Sequence, residues 1–540
     1  MKKRILVPIL AIGVLFTTVS FKSDFFEIAK QIEIFTTLFK ELNMNYVDET
    51  TPATLMDKAI TGMLEDLDPY TVYWNEQEVE DARINNSGVY TGVGASVKTK
   101  KDRIVVVEPF KDYPADKAGL KAGDEIIKIG NTDLADFDGD TGELLKGAPD
   151  SEIKITYVRQ GKENKTTLTR AAVEVNAVPF YKLINNDIGY IVLRAFNRKT
   201  TKETKAALVD LKEQGAKKII LDLRGNPGGL LNEAISVVNL FVPKGEVITT
   251  TKSVIKRYNK VYKTTKEPVD TEIPLVVLVN GRSASASEIV SGGLQDLDRA
   301  VIVGARSFGK GLVQRPKKLT YGTQLKVTIS RYYTPSGRCI QALDYWNRDE
   351  NGDPIRLDPK EYNSFKTKGG RTVYDGGGIL PDIEVETAVF SPITTALLKD
   401  DAIFNYATEY YYKNQLTDWS NFTFSESDFQ DFRQYLNKNG FEYETETEKE
   451  FAEALRRAED DDLDGEIKSS YNQLMKSIDA AKEKAIVAKG AEIKSLLTDE
   501  ILKRYFYREG LYNYQVNNNP EIKEAISVLN DSNKYNRILK

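Results

Sequence analysis

Histidine is absent from the 540 residues of this chain, and cysteine occurs once, as Cys339. The first absence excludes Ser-His-Asp and Cys-His catalysis, His-ligated zinc or haem, and imidazole acid–base chemistry supplied by this chain. The second excludes an internal disulfide, a CxxC pair and an all-cysteine zinc site. A strong charge of one sign is missing too. Against 75 basic side chains stand 80 acidic ones, a net charge of −5, so no clustered basic face suggests nucleic acid as a partner. Chemistry is left to Ser, Thr, Lys, Tyr, Asp, Glu and backbone amides. What is present is ordinary for a globular protein, 41% apolar and 29% charged, and long enough for several domains.

Lys2-Lys3-Arg4 precede an apolar run from Ile5 to Phe16 with a weaker tail to Phe21. A basic segment followed by a short apolar one is the pattern of a secretory signal, and Thr18-Val19-Ser20 is a weak small-x-small cleavage site. The run is barely long enough to span a bilayer. Residues 1–21 therefore read as a signal peptide or N-terminal anchor, and the protein as exported, periplasmic or cell-envelope associated. Membrane association through the N-terminus stays open. With one cysteine, such a chain is held by packing and not by disulfides.

Periodicity divides the remainder. Ile28, Ile32, Phe35, Phe39 and Leu42 mark an amphipathic helix, and a second runs from Ala53 to Asp66 before Pro69, so 22–85 reads as an N-terminal helical region. Residues 86–175 carry short strands and turns, with Ile104–Val107 as a buried strand and Ile153, Ile155 and Tyr157 alternating with polar residues. From 176 to 390 strands alternate with helices: Lys218–Leu223 precedes a Gly-rich loop and a helix from Leu230, and Ile273–Val279 precedes a Ser-rich loop and another helix. Residues 391–540 read as a mainly helical extension, in which Ile467, Tyr471, Leu474 and Ile478 form one apolar stripe.

Three segments carry chemistry. In Asp222-Leu-Arg-Gly-Asn-Pro-Gly-Gly229 a strand enters a Gly-rich loop before a helix, which aims backbone N–H groups at one point and suits an oxyanion; the same residues would also serve as a plain tight turn. Arg282-Ser-Ala-Ser-Ala-Ser-Glu288 also joins strand to helix. One serine there can act as a nucleophile, or all can cap the helix, and local physics does not choose among Ser283, Ser285 and Ser287. Phe308-Gly-Lys-Gly-Leu-Val-Gln314 offers Lys310 as a base in place of histidine, or as a solvated loop lysine. On a straight strand Gln314 would stand roughly 13 Å from Lys310, whereas on a bend it could orient the amine.

Together with Gly378-Ile-Leu-Pro-Asp382, these ordered motifs make the chain resemble the C-terminal processing peptidases, or tail-specific proteases, over roughly residues 24–390. The resemblance implies Ser285 as nucleophile, Lys310 as base and Gln314 as its orienting partner. It implies an oxyanion hole from the amides of Ala286 and of Gly228 or Gly229. It also implies an α+β multidomain fold: N-terminal helices, a β-sandwich-like PDZ domain, a ββα protease core similar to Clp protease and crotonase, and the helical C-terminal extension. Gly92-Val93-Gly94-Ala95 matches the PDZ loop that receives a C-terminal carboxylate while the peptide adds as a strand. Ala305-Arg306-Ser307 departs from the family, which commonly has an acidic residue and a threonine there.

The expected function is thus an exported serine endopeptidase that cleaves polypeptides with exposed C-termini, without cofactor or metal. Activity should rise from neutral to alkaline pH as the lysine base deprotonates. Two other readings are a catalytically silent PDZ scaffold and acyl-CoA chemistry on the crotonase-like core. Homo-oligomerisation is open. Asp460-Asp-Asp-Leu-Asp-Gly465 begins like a calcium loop, but its twelfth position is Tyr471 where a glutamate is required.

Overall fold

The core strands bury side chains on both faces, and this decides the layering. In Lys218–Asp222, Ile219 and Leu221 point to one apolar cluster and Ile220 to another; in Leu275–Val279, Leu275, Val277 and Val279 oppose Val276 and Leu278. Such continuous apolar runs belong to sheets covered twice. In the computed structural model, which describes residues 25–350, 352–385 and 390–540, six strands lie in the order Phe180–Ile184, Ile188–Val192, Lys218–Asp222, Leu275–Val279, Val301–Gly304 and Ile383–Glu384. The first pair is antiparallel and the rest are parallel. Helices Thr200–Glu213, Leu231–Val238 and Ala286–Asp296 cover one face. The other is covered by the end of the chain, through Tyr512, Val516, Ile522, Ala525, Val528, Leu529 and Tyr535. The Leu275 N–H donates to Tyr535 Oη at 3.0 Å, so the C-terminal extension supplies the second layer of this sheet.

The chain forms two compact units. The larger comprises 77–313 and 329–540 and the smaller 1–76 and 314–328. In the larger, an antiparallel sheet Ala95–Thr99, Ile104–Pro109, Glu125–Ile129, Glu152–Arg159, Lys162–Thr169 packs Ile104, Val106, Leu120, Ile126, Ile155 and Leu168 into its own core. It is the PDZ domain expected there. The extension contacts it at a kink in the helical run Gly490–Asn518, where Tyr507 has φ 56°. The Tyr507 hydroxyl donates to Asp116 Oδ1 at 2.7 Å, and Arg508 forks onto Glu108 at 2.6 and 2.8 Å. A separate aromatic cluster, including Tyr406, Phe424, Phe429 and Phe432, holds the extension's earlier helices.

In the smaller unit a helix spans residues 25–45 and another Pro52–Glu65, followed by the strand Val72–Trp74, which pairs with Gln324–Lys326. The α+β multidomain organisation and both N-terminal helices follow the sequence reading. The stripe of Ile467, Tyr471, Leu474 and Ile478 does lie on a helix, Asp464–Ala488, but Ile467 and Leu474 are exposed and build no core. Beyond the core strands the chain adds two short antiparallel pairs, Leu343–Arg348 with Pro354–Arg356 and Ser364–Lys366 with Thr372–Tyr374. The export signal expected over 1–21 lies outside the described residues. Among those described, no helix is long and apolar enough to cross a membrane.

Candidate active site

Three loops meet at the C-terminal ends of the parallel strands, where open α/β sheets place their ligands. The first follows Leu275–Val279 and carries the three serines. Ser283 is buried and donates to Leu223 O at 2.9 Å; Ser287 is buried and donates to Asn226 O at 2.9 Å. Both hydroxyls thus tie this turn to the Asp222–Gly229 loop. Ser285 between them is half-buried, with φ 53° and ψ −107°, immediately before the helix Ala286–Asp296. Non-glycine residues rarely adopt that conformation, which costs on the order of 1–3 kcal/mol and is held here by the surrounding bonds. It is the sharp strand-to-helix turn of a nucleophile elbow, reached without the G-x-S-x-G sequence.

The second loop supplies backbone donors. Asn226, fully buried, donates to Leu193 O at 2.9 Å and accepts the Gly228 N–H at 2.9 Å. Gly228 has φ +102°, and a Cβ there would sit 2.9 Å from the Ala286 nitrogen and 3.0 Å from Ser285 Cβ. Only glycine leaves the space before the serine and the Ala286 amide open. Ala286 is the first residue of its helix, so its N–H has no intrahelical partner. Asp222 anchors the loop: it accepts Arg224 N–H at 2.9 Å, Arg224 Nη2 at 2.6 Å and Tyr190 Oη at 2.6 Å. Burial pushes its carboxyl up, but Arg224 outweighs that and leaves it below the usual range. Arg224 Nη1 reaches Asn519 Oδ1 at 2.7 Å and Glu521 at 3.2 Å, so the C-terminal layer grips this loop.

The third loop, Ser307–Gly311, is joined to the first by Glu288, a fully buried carboxylate. Its Oε2 accepts the Ser285 N–H at 2.7 Å and the Lys310 N–H at 2.9 Å, which places those two nitrogens within about 6 Å of each other. Its Oε1 accepts Ser307 Oγ at 2.5 Å and the Gly309 N–H at 2.6 Å. Burial raises the Glu288 pKa, and these four donors oppose the rise. The Phe308 N–H donates to Ser283 O at 3.0 Å. Lys310 is half-buried, between Gly309 and Gly311. Tyr332 Oη donates to Ser285 O at 3.3 Å.

Ser285, Lys310, Ala286, Gly228 and Gly229 therefore lie in the larger unit, on loops bound to one another. Gln314 lies in the smaller, where its Nε2 donates to Thr328 Oγ1 at 3.1 Å and Thr328 donates to Asp68 Oδ1 at 3.1 Å. The Ser307 hydroxyl, at the family-divergent position, is used twice, donating to Glu288 and accepting the Ile379 N–H at 2.7 Å, while Arg306 turns away to Tyr362 Oη at 3.0 Å. Sequence reasoning assigned no role to Glu288, Asn226 or Tyr332. For Glu288 the signal was present, since Ser285-x-x-Glu288 has the spacing of a capping box.

In the PDZ domain, Gly92 ends the strand Val89–Gly92, Val93 is buried, and Gly94, with φ +73°, turns the chain into Ala95–Thr99. A Cβ on Gly94 would lie 2.3 Å from Tyr113 Cβ.

Comparison with known proteins matches this arrangement. The model of peptidase family S41 covers residues 187–345, a PDZ domain model covers 91–169, and a model described as a probable PDZ-protease, C-terminal helical domain, covers 393–529. The carboxy-terminal-processing protease of Bartonella bacilliformis is 38% identical over 323 residues, 58% of this chain and 73% of that protein. The carboxy-terminal processing protease CtpA of Bacillus subtilis is 35% identical over 306 residues, 56% of this chain and 65% of that protein, just under two thirds of its length. A solved structure, the photosystem II D1 C-terminal processing protease, aligns with 66% of this chain and 88% of its own at 26% identity and a TM-score of 0.36. By its likeness to the Bartonella protein, over most of that protein's length, the chain belongs to the carboxy-terminal processing proteases, serine-type peptidases of family S41.

Proposed function

We propose that the protein is an exported endopeptidase that takes polypeptides by their C-terminal tails on its PDZ domain and cleaves them with Ser285 and Lys310. The observation that carries this reading is Glu288, whose single Oε2 binds the backbone N–H of both residues. The same turn leaves Ser285 accessible, while the hydroxyls of Ser283 and Ser287 are buried on backbone carbonyls.

In this mechanism the neutral Lys310 amine takes the Ser285 Oγ proton as the oxygen attacks the scissile carbonyl. The tetrahedral oxyanion is received by the Ala286 N–H together with that of Gly229, because Gly228 gives its own to Asn226. The Lys310 ammonium returns the proton to the leaving amine, and an acyl-enzyme remains on Ser285. Water, deprotonated by Lys310, then releases the acyl group. Gln314, whose amide nitrogen donates to Thr328 Oγ1, has the part of orienting partner from the family resemblance alone. No histidine enters.

Export rests on the basic and apolar composition of residues 1–21. The test is cleavage of an unfolded polypeptide with an apolar C-terminus. Ser285→Ala and Lys310→Ala are each expected to abolish it while melting like the parent; near-normal turnover in either would remove that residue from the mechanism.

A further inference from the structure

Leu67-Asp68-Pro69-Tyr70 follows the helix Pro52–Glu65, and Pro69 keeps the chain from resuming it. Asp68 folds the released backbone into a tight turn. Its Oδ1 accepts the N–H of Tyr70 at 2.9 Å and of Thr71 at 3.0 Å, and its Oδ2 accepts Thr71 Oγ1 at 2.9 Å. Thr71 is buried, and directly after it begins the strand Val72–Trp74, paired with Gln324–Lys326. The carboxylate is thus fixed in place by its own turn.

A further donor reaches it from outside. Thr328, on the strand Gln324–Tyr333, donates its hydroxyl to Asp68 Oδ1 at 3.1 Å, and its N–H donates to Thr71 Oγ1 at 3.1 Å. From the neighbouring strand Leu312–Lys318, Gln314 Nε2 donates to the Thr328 hydroxyl oxygen at 3.1 Å. Asp68, Thr328 and Gln314 are all half-buried.

The direction of these hydrogen bonds follows from what each group can do. A carboxylate only accepts, and a hydroxyl has a single proton. Thr328 spends that proton on Asp68, so towards Gln314 it can only accept. The end of the Gln314 amide that faces it must then be the NH2. The reverse orientation would set carbonyl oxygen against hydroxyl oxygen with no proton between them. The two ends of an amide are nearly equal in shape, and here Asp68 and Thr328 choose between them. The carbonyl oxygen is the end turned away from Thr328. A lysine ammonium presents only N–H donors, so that end alone could hold one.

We propose that Thr328, held by Asp68, is a positioning residue of the reaction: it sets the Gln314 amide with its oxygen as the acceptor for the base. The inference rests on the endopeptidase reading above and on the part in it that the family resemblance gives Gln314. The plainer task of pinning Val72–Trp74 to Gln324–Lys326 needs the Thr328 N–H and not its hydroxyl. Losing the hydroxyl removes about one hydrogen bond's worth of preference for the set orientation, about a fivefold fall in the positioned population.

The test is steady-state cleavage of an unfolded polypeptide with an apolar C-terminus by the full chain. Thr328→Val keeps the branched shape that suits a strand and loses the hydroxyl, and is expected to lower kcat about fivefold with KM little changed. Thr328→Ala, which lacks the hydroxyl without adding a methyl group, is expected to fall likewise. Thr328→Ser, which restores the hydroxyl, is expected to stay within about twofold of the parent. In a Gln314→Ala chain, adding Thr328→Val is expected to change kcat no further, whereas loss of a merely structural contact would lower it again. Three results would each overturn the positioning role and leave the endopeptidase reading standing: Thr328→Val and Thr328→Ala at the parent's kcat, Thr328→Ser as slow as Thr328→Val, or an undiminished second loss on top of Gln314→Ala. Gln314→Ala at the parent's kcat would overturn it too, by removing Gln314 from the mechanism. A parent chain that cuts no such substrate would overturn both.

Discussion

Replacing Glu288 by glutamine keeps its shape and removes the charge on which the site's backbone converges. The carboxylate accepts from four donors, and three of them are backbone N–H groups that cannot turn. In its better orientation the carboxamide oxygen keeps Ser285 and Lys310, and its NH2 faces Ser307 and Gly309. Ser307 can rotate to accept, but the Gly309 N–H is left without a partner. A buried unsatisfied donor costs about 1–3 kcal/mol, and the two surviving bonds each lose about 1 kcal/mol when the acceptor becomes neutral. Relief from burying a carboxylate, which burial already pushes toward protonation, offsets part of this. The net is a loss of about 2–3 kcal/mol in stability. The larger effect falls on catalysis, because the Ser285 and Lys310 amides are then held less firmly, and a misplacement near 1 Å costs about 100-fold in rate. Steady-state kinetics on an unfolded tailed substrate should show kcat down about 100-fold with KM little changed, since the PDZ domain is untouched. A Glu288→Gln enzyme that retains kcat within about twofold would refute the reasoning, whatever its melting temperature.

Two further outcomes follow from the C-terminal layer. Burial raises the Asp499 carboxyl from 3.8 to about 6 against the opposing influence of Lys503 and Gln515. The folded state therefore holds that proton more tightly, and the resulting stability is complete below about pH 4 and lost as pH rises through 6. Asp499→Asn should raise stability by about 3 kcal/mol at pH 8 and leave it nearly unchanged at about pH 3, as read by denaturant melts at the two pH values. Asn519 caps the helix Pro520–Asn530 through the Ile522 N–H at 3.0 Å and accepts Arg224 Nη1 at 2.7 Å. Asn519→Ala should cost about 1–2 kcal/mol through the lost cap. It should also lower kcat severalfold at constant KM by loosening the Arg224–Asp222 anchor; unchanged kcat would confine the C-terminal layer to a structural role.

Much of the site was legible because its parts are local. The strand, loop and helix at Lys218–Leu230 and at Ile273–Leu294 follow from apolar runs broken by glycine and serine, and both boundaries fall within two residues of those read from sequence. The choice among Ser283, Ser285 and Ser287 was not legible, because the carbonyls that bury two of them belong to Leu223 and Asn226, some 60 positions away. Glu288 was visible as a helix-capping spacing, but its second task, gathering Ser307, Gly309 and Lys310, exists only once the third loop arrives. The extension shows the opposite error. Tyr512, Val516, Ile522 and Tyr535 read as helix, yet nothing local says that their partner is the rear of the protease sheet, more than 200 positions earlier. Ile467 and Leu474 have the same periodicity and stay exposed. Periodicity reports that a face is apolar, not what covers it.

The central claim, that Ser285 is the nucleophile and Lys310 its base, is tested most directly by trapping the acyl-enzyme. The purified chain is treated with a serine-directed acylating probe, and the modified peptide is located by mass spectrometry in the parent, Ser285→Ala and Lys310→Ala proteins. The account predicts stoichiometric labelling of Ser285 in the parent, none at that position or at Ser283 and Ser287 in Ser285→Ala, and strongly slowed labelling in Lys310→Ala. Labelling of another serine, or undiminished labelling of Ser285 without Lys310, would contradict it.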